Sequence, residues 1–415
     1  MKIVHAADIH LDSPMRGLSR YEGAPMEAMR GATRRAFSRL VDLCLEEQAS
    51  VLLIAGDLYD GEWKDYSTGL FFLKEMRRLR EGDVEVVLLR GNHDAASQIA
   101  RTLKLPEHVR ELGTSRPETV EFEKLGLAVH GQGFAHRAVT DDLSKAYPAP
   151  LPGLLNLGLL HTSADGRPGH EPYAPCRVER LVERGYDYWA LGHVHKREVL
   201  AEAPWVVFSG NLQGRHARET GPKGATLITA SGGRIVAVEP KVLDVARWDL
   251  RAVDVTEAMH LDDVLEASRR AFDAAREAAD DRPLAVRLVL RGTTGLGLQD
   301  AQIEAELRGV AGALDGVWLE RIVAETRAPA ALGALRERDD GLGQLLCALT
   351  KGSAGDEELR SQIEASLADL RGKLPEVLRE REELLRLEGP EAIAELLAEV
   401  ERTLVPRLLE GEGEK

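Results

Sequence analysis

Largely apolar runs recur through the first half of the chain, and each delivers an aspartate, asparagine or histidine close behind it. Ile3 to Ala7 leads into Asp8-Ile9-His10, and Val51 to Ala55 into Gly56-Asp57-Leu58-Tyr59-Asp60. Val84 to Leu89 leads into Arg90-Gly91-Asn92-His93-Asp94. Leu154 to Leu160 ends at His161, and Trp189-Ala190-Leu191 ends at Gly192-His193-Val194-His195. Short continuous runs of this kind predict strands buried on both faces. Helical spacing separates them, over Thr33 to Glu47 (through Phe37, Leu40, Val41 and Cys44), Phe71 to Leu79 and Arg177 to Glu183. Val120-Glu121-Phe122 and Leu127 to Val129 predict a hairpin around Gly126. Trp205 to Phe208, Ala225 to Ile228 and Arg234 to Val238 read as closing strands of a second sheet. The fold expected is α/β, with two stacked mixed β-sheets flanked by helices.

The pattern changes past residue 250. Leu261 to Ala279 reads as a helix, Leu284 to Leu290 as a strand, Ala301 to Leu307 as a helix and Val317 to Val323 as a strand, a small α+β unit. Beyond Trp318 there is no aromatic residue. After a hinge expected at Gly352 to Gly355, Leu359, Ile363, Leu367, Leu370 and Leu374 form one helical stripe. Ile393, Leu396, Leu397, Val400, Leu404 and Leu408 form another. These two helices either fold back on each other or dock on a partner helix. Three parts are expected, at 1–250, 251–330 and 331–415.

The net charge is −15 over 415 residues. Residues 1–250 carry 32 Lys and Arg against 34 Asp and Glu, and residues 251–415 carry 22 against 35. The acidity therefore lies mainly outside the part bearing the histidine and aspartate clusters, and the whole chain offers no global attraction to nucleic acid. No apolar run approaches the roughly eighteen residues of a membrane span. Met1 passes directly into strand-like sequence, so no signal peptide is expected. Cys44, Cys176 and Cys347 lack disulfide or metal-binding spacing and fit a cytoplasmic protein.

In open α/β sheets, ligands bind beyond the carboxyl ends of strands. One Asp or His there is the ordinary mark of a hydrogen-bonded core residue. Five clusters in succession call for another explanation, and a pair of metal ions provides it. Asp and His suit borderline divalent metals such as manganese, iron or zinc. Two ions about 3.5–4 Å apart can clamp a phosphoryl group and activate a water.

The order Asp8-x-His10, Gly56-Asp57-x-x-Asp60, Gly91-Asn92-His93-Asp94, His161, Gly192-His193-x-His195 resembles the calcineurin-like metallophosphoesterases. More narrowly it resembles the SbcD/YhaO-type DNA repair exonucleases, with His5-Ala6-Ala7-Asp8-Ile9-His10-Leu11-Asp12-Ser13-Pro14 nearest the YhaO branch. The resemblance implies that Asp8, His10, Asp57 and His195 surround one metal and Asp57, Asn92, His161 and His193 the other, with Asp57 bridging. It implies manganese, and His93 as the proton donor to the leaving oxygen, oriented by Asp94. It assigns residues 251–330 to a cap over the site, and the tail to binding an SbcC-like ATPase. Homodimerisation and DNA as substrate are further implications. Asp60 is expected to cap the following segment or to support a ligand, and Asp12 stands where many relatives carry glycine. His130 and His136 fall outside the motif order and are expected to be structural or surface residues.

Arg16, Arg20 and Arg30 either hold phosphates or are solvated, and Trp63, Lys64 and Tyr66 either stack on a base or pack the next helix. Arg215, His216, Arg218 and Lys223 form a small basic loop set, and Arg282, Arg287 and Arg291 either line the DNA side or face solvent. The loop Thr162 to Pro175 is expected to border the substrate. A metal-dependent DNA nuclease subunit is the leading reading. The same site could serve nucleotides, small phosphodiesters or phosphoproteins. A non-catalytic regulator of an ATPase would ordinarily have lost ligands, and none is missing.

Overall fold

A computed structural model describes residues 1–13, 29, 31–60, 66–96, 103–166, 172–298, 300–327 and 344. Outside these lie Arg16, Arg20, Arg30, Trp63 and Lys64, part of the loop after His161, and both stripes of the expected C-terminal helices.

The first sheet is built from β1 (Lys2–Ala6), β2 (Val51–Ala55), β3 (Glu85–Leu89) and β4 (Val109–Glu111), all parallel. The second begins with β5 (Glu118–Phe122) and β6 (Leu127–Gly131), the antiparallel hairpin expected around Gly126. It continues with β7 (Leu155–His161), β8 (Tyr188–Gly192), β9 (Glu198–Glu202) and β10 (Trp205–Phe208) in the order β5-β6-β7-β8-β10-β9. Of the three strands expected to close this sheet, only β10 does so. β11 (Gly224–Ser231) and β12 (Arg234–Val242) return to the first sheet, where β11 runs antiparallel beside β1, giving the order β12-β11-β1-β2-β3-β4. Local alternation marks a strand but carries no information about its partner.

Alternation decides which core each residue joins. On β1 and β2, Val4, Ala6, Leu52 and Ile54 pack outward against α1 (Ala32–Glu46) and α2 (Tyr66–Glu81), with Phe37, Leu40, Phe72 and Met76. Their neighbours Ile3, Val51, Leu53 and Ala55 pack inward against Leu127, Val129, Leu157, Leu159 and Ala190 of the second sheet. A third cluster covers the far face of that sheet, where Leu160, Trp189, Leu191 and Phe208 meet Tyr147 and Leu181, the latter on α4 (Val178–Glu183). Both faces of the central strands are buried, so their sequences read as apolar runs. Among the described residues between β3 and β4 is a short helical turn, α3 (Asn92–Ala96).

The chain divides into two compact units. The first holds both six-stranded sheets in Met1–Leu250, together with Ala275–Val286. The second takes in Arg251–Ala274 and the chain from Arg287 onward. A three-stranded sheet is ordered β13 (Arg247–Asp254), β14 (Leu284–Thr293), β15 (Val317–Arg327), accompanied by α5 (Leu261–Ala279) and α6 (Ala301–Gly312). The three arginines that were candidates for a DNA face are engaged by carboxylates. Arg287 makes a two-point pair with Glu320 (2.9 Å each), Arg291 meets Glu325 at 2.8 Å, and Arg282 meets Asp244 at 3.1 Å and Asp280 at 2.7 Å. Among the described residues no helix is long and apolar enough to cross a membrane.

Candidate metal centre

β1, β2, β3, β7 and β8 deliver their polar residues from the same, carboxyl-terminal ends, and the structure brings those residues together. Asp8, His10 and His195 place donor atoms within 4.8 Å of one another, as do Asp8, Asp57 and His161. A third group with the same property is His10, Asp60 and His93. Asn92 Oδ1 lies 2.9 Å from His161 Nε2, and the His193 ring sits 5.2 Å from that of His161.

The backbone is bent to achieve this. Asp8 (φ 49°), His10 (φ 46°), Asp57 (φ 52°) and His193 (φ 101°) all have positive φ, which non-glycine residues rarely adopt. Such strain, about 1–3 kcal/mol per residue, clusters where function holds it in place. The glycines beside them are required by close approach. Gly56 has φ 90°, and a Cβ there would lie 2.5 Å from His161 Nδ1, while a Cβ on Gly192 would overlap the Ala55 carbonyl oxygen. Hydrogen bonds tie the turns together: His193 N–H donates to both Asp8 oxygens (3.1 and 3.0 Å), and His93 N–H to Asp57 Oδ1 (2.9 Å).

The donor set fits divalent cations. His161 Nδ1 faces the Ala55 carbonyl at 2.9 Å. A carbonyl can only accept, so Nδ1 carries the proton and Nε2 turns a lone pair toward Asn92 Oδ1 and toward Asp57 Oδ2 at 3.5 Å. Three acceptors converging on one point are reconciled by a cation. His10 is fully buried, yet among the described residues neither ring nitrogen has a hydrogen-bond partner. Its Nε2 lies 3.8 Å from Asp57 Oδ2 and its Nδ1 3.5 Å from Asp60 Oδ1. Two ligands each about 2.1 Å from one ion are separated by somewhat less than about 4 Å, as His10 Nε2 and Asp57 Oδ2 are. Burial and the neighbouring Asp57 together push the Asp8 carboxyl well above its ordinary range, repulsion that bound cations would relieve. Burial also keeps His10 neutral, with a pKa of about 3, and His195, with a pKa of about 4, in the protonation state that ligates metal.

His93 and Asp94 are adjacent in sequence but face apart. The Asp94 carboxylate is buried and accepts backbone N–H groups from Leu58 (3.1 Å), Tyr59 (2.8 Å) and Gly91 (3.1 Å), locking the Asp57 turn to the Asn92 turn. The carboxylate beside His93 Nδ1 is instead that of Asp60, at 3.0 Å. Asp60 also accepts from Ser13 Oγ at 2.7 Å. The orienting role expected of Asp94 is therefore corrected: on α3 successive side chains diverge by about 100° and cannot support each other. Asp12 is directed away from this cluster and is held by Arg34 and by Thr68. His130 lies elsewhere in the second sheet, between Thr119 Oγ1 (2.8 Å) and Asn156 Oδ1 (3.0 Å), and His136 is exposed.

Of two further residues near the site, Glu219 carried no signal of chemistry in the sequence, and Arg215 was legible only as part of a small basic loop set. Glu219, buried, lies 2.6 Å from His195 Nδ1, and Arg215 Nη2 lies 3.3 Å from Glu219. Both belong to the loop between β10 and β11, which has no periodicity to flag them.

Comparison with known proteins agrees with this arrangement. The calcineurin-like phosphoesterase profile matches residues 1–197, and that of the middle domain of the metallophosphoesterase YhaO matches residues 248–327. The uncharacterized metallophosphoesterase YhaO of Bacillus subtilis is 35% identical over 305 residues, covering 72% of this chain and 74% of that protein. The chain belongs to the YhaO-type metallophosphoesterases. Like them it is a metal-dependent phosphoester hydrolase. The DNA double-strand break repair protein Mre11 of Methanopyrus kandleri is 30% identical over 212 residues, 47% of this chain and 44% of that protein. The Mre11 protein of Sulfurisphaera tokodaii is 25% identical over 250 residues, 56% of this chain and 60% of that one. A dimetal phosphatase structure from Danio rerio aligns at a TM-score of 0.34 and 10% identity, over 59% of this chain and 99% of that one.

Proposed function

We propose that this YhaO-type protein is a manganese-dependent DNA nuclease subunit that works in the cytoplasm as a homodimer with an SbcC-like ATPase. The observation that carries the chemistry is the convergence of the Asp and His donors at five strand ends, with His93 beside them. In this reading Asp8, His10, Asp57 and His195 hold one ion, Asp57, Asn92, His161 and His193 hold the other, and Asp57 bridges. Ions so held supply Lewis-acid charge at the phosphate and a nucleophilic water. His93 gives a proton to the leaving oxygen. Burial opposes its charged form, but the Asp60 carboxylate and the Asp57 charge outweigh that and raise its pKa, keeping a proton available near neutral pH. Asp60 fixes the ring through Nδ1 and leaves Nε2 to the substrate.

DNA as substrate is supported by the similarity to proteins named as break-repair Mre11, together with the expected division into a nuclease part (1–250), a capping part (251–330) and a partner-binding helical part (331–415). One observation favours a smaller substrate: the net charge of −15 gives no general attraction to a polyanion. The two readings separate when the purified chain is offered single-stranded DNA, double-stranded DNA and a small phosphodiester reporter in manganese, with and without the ATPase. Cleavage of DNA, alone or once the ATPase is added, is the expected result. Hydrolysis of the reporter with DNA untouched in both conditions would replace it with the small-diester reading.

A further inference from the structure

Three groups of the loop between β10 and β11 converge on His195. Lys223 Nζ donates to the His195 carbonyl at 2.9 Å, and Asn211 N–H donates to the same oxygen at 3.3 Å. Glu219 Oε1 lies 2.6 Å from the ring Nδ1. Glu219 is itself immobilised. Its Oε2 accepts the Arg215 backbone N–H at 2.7 Å, the Arg215 guanidinium lies 3.3 Å from Oε1, and only 5% of its side chain is exposed.

We propose that Glu219 is the positioning residue for His195, fixing the Nδ1–H tautomer so that the Nε2 lone pair is presented toward Asp8, 3.9 Å away. The inference rests on the two-ion reading above and adds to it an asymmetry. On the opposite side of the centre, His161 obtains the same tautomer from the Ala55 main-chain carbonyl, with no part played by the loop. Glu219 therefore supports the ion of Asp8, His10 and His195, and leaves the ion of Asn92, His161 and His193 alone. A carboxylate on the far nitrogen of a metal-binding histidine raises its basicity and holds its plane, and losing one lowers metal affinity about 10–100-fold.

The test is calorimetric titration of the metal-stripped full-length chain with Mn2+, with electron paramagnetic resonance to distinguish paired from isolated ions. Wild type is expected to take up two ions. E219A is expected to bind one of them about 10–100-fold more weakly and the other within about twofold of wild type, giving the spectrum of an isolated ion at half loading. E219Q retains an acceptor for Nδ1–H and should recover part of the loss. If E219A does not fold, the E219Q titration decides, with weakening confined to one ion as the expected result. Variants that titrate like wild type, or that weaken both ions equally, would overturn the assignment of Glu219 while leaving the two-ion reading intact. A wild-type chain that takes up no more than one ion would overturn that reading and this inference with it.

Discussion

Two carboxylates that look interchangeable in the sequence do different work. Asp94 is spent on backbone N–H groups, whereas Asp60 stands at His93 and, through His10, at the metal side of the site. The distinction has a consequence for pH. In its proposed role as the acid His93 must be protonated, so turnover should decline as pH rises through its pKa. Asp60 raises that pKa, and its loss lowers it. Asp60→Asn should therefore move the alkaline limb of the kcat profile to lower pH, by about one unit or more. An unmoved limb in a full pH–rate profile would remove Asp60 from this role. The strand-end residues could be found in the sequence because five such clusters follow five buried strands in succession, a recurrence that ordinary hydrogen-bonded core residues do not explain. The partner of His93 could not, since adjacency in sequence suggests Asp94 and only the turn of α3 excludes it. The approach of Glu219 and Arg215 to His195 was hidden for a related reason: they come from a loop with no repeating pattern, 24 and 20 positions further along the chain.

At the scale of elements, two parallel arrays, β1-β2-β3 and β6-β7-β8, aim their carboxyl ends at one place. The junction between them is tight, with Gly192 at the end of β8 packed directly on the Ala55 carbonyl at the end of β2. Gly192→Ala would force these strand ends apart. It should cost about 1–3 kcal/mol or more, the usual penalty of overpacking, and should weaken metal uptake as the His193 turn shifts. Denaturant midpoints beside a metal titration would measure both, and a variant as stable as wild type would show that the junction yields more easily than its geometry implies. The strands themselves were legible because burial on both faces leaves a continuous apolar run. The pairing of β11 with β1 was not, because it is fixed by a return of more than two hundred residues that no local pattern records.

For the whole molecule, charge and chemistry point in different directions. The catalytic part is close to neutral and the remainder strongly acidic, and the arginines of β14 are tied to Glu320 and Glu325. On the proposed reading, a chain built this way would bring a hydrolytic centre and leave much of the grip on a polyanion to metal charge and to a partner. The centre itself is the claim on which everything else depends. Its most direct test is manganese-dependent phosphodiester cleavage by wild type, His93→Ala and Asp57→Ala, each with its metal content measured. Wild type should cleave with two ions bound. His93→Ala should keep both ions and lose about 10²–10⁴-fold in rate, and Asp57→Ala should lose bound metal and activity together. Undiminished cleavage by His93→Ala, or a wild type that holds two ions and hydrolyses no phosphodiester, would contradict it.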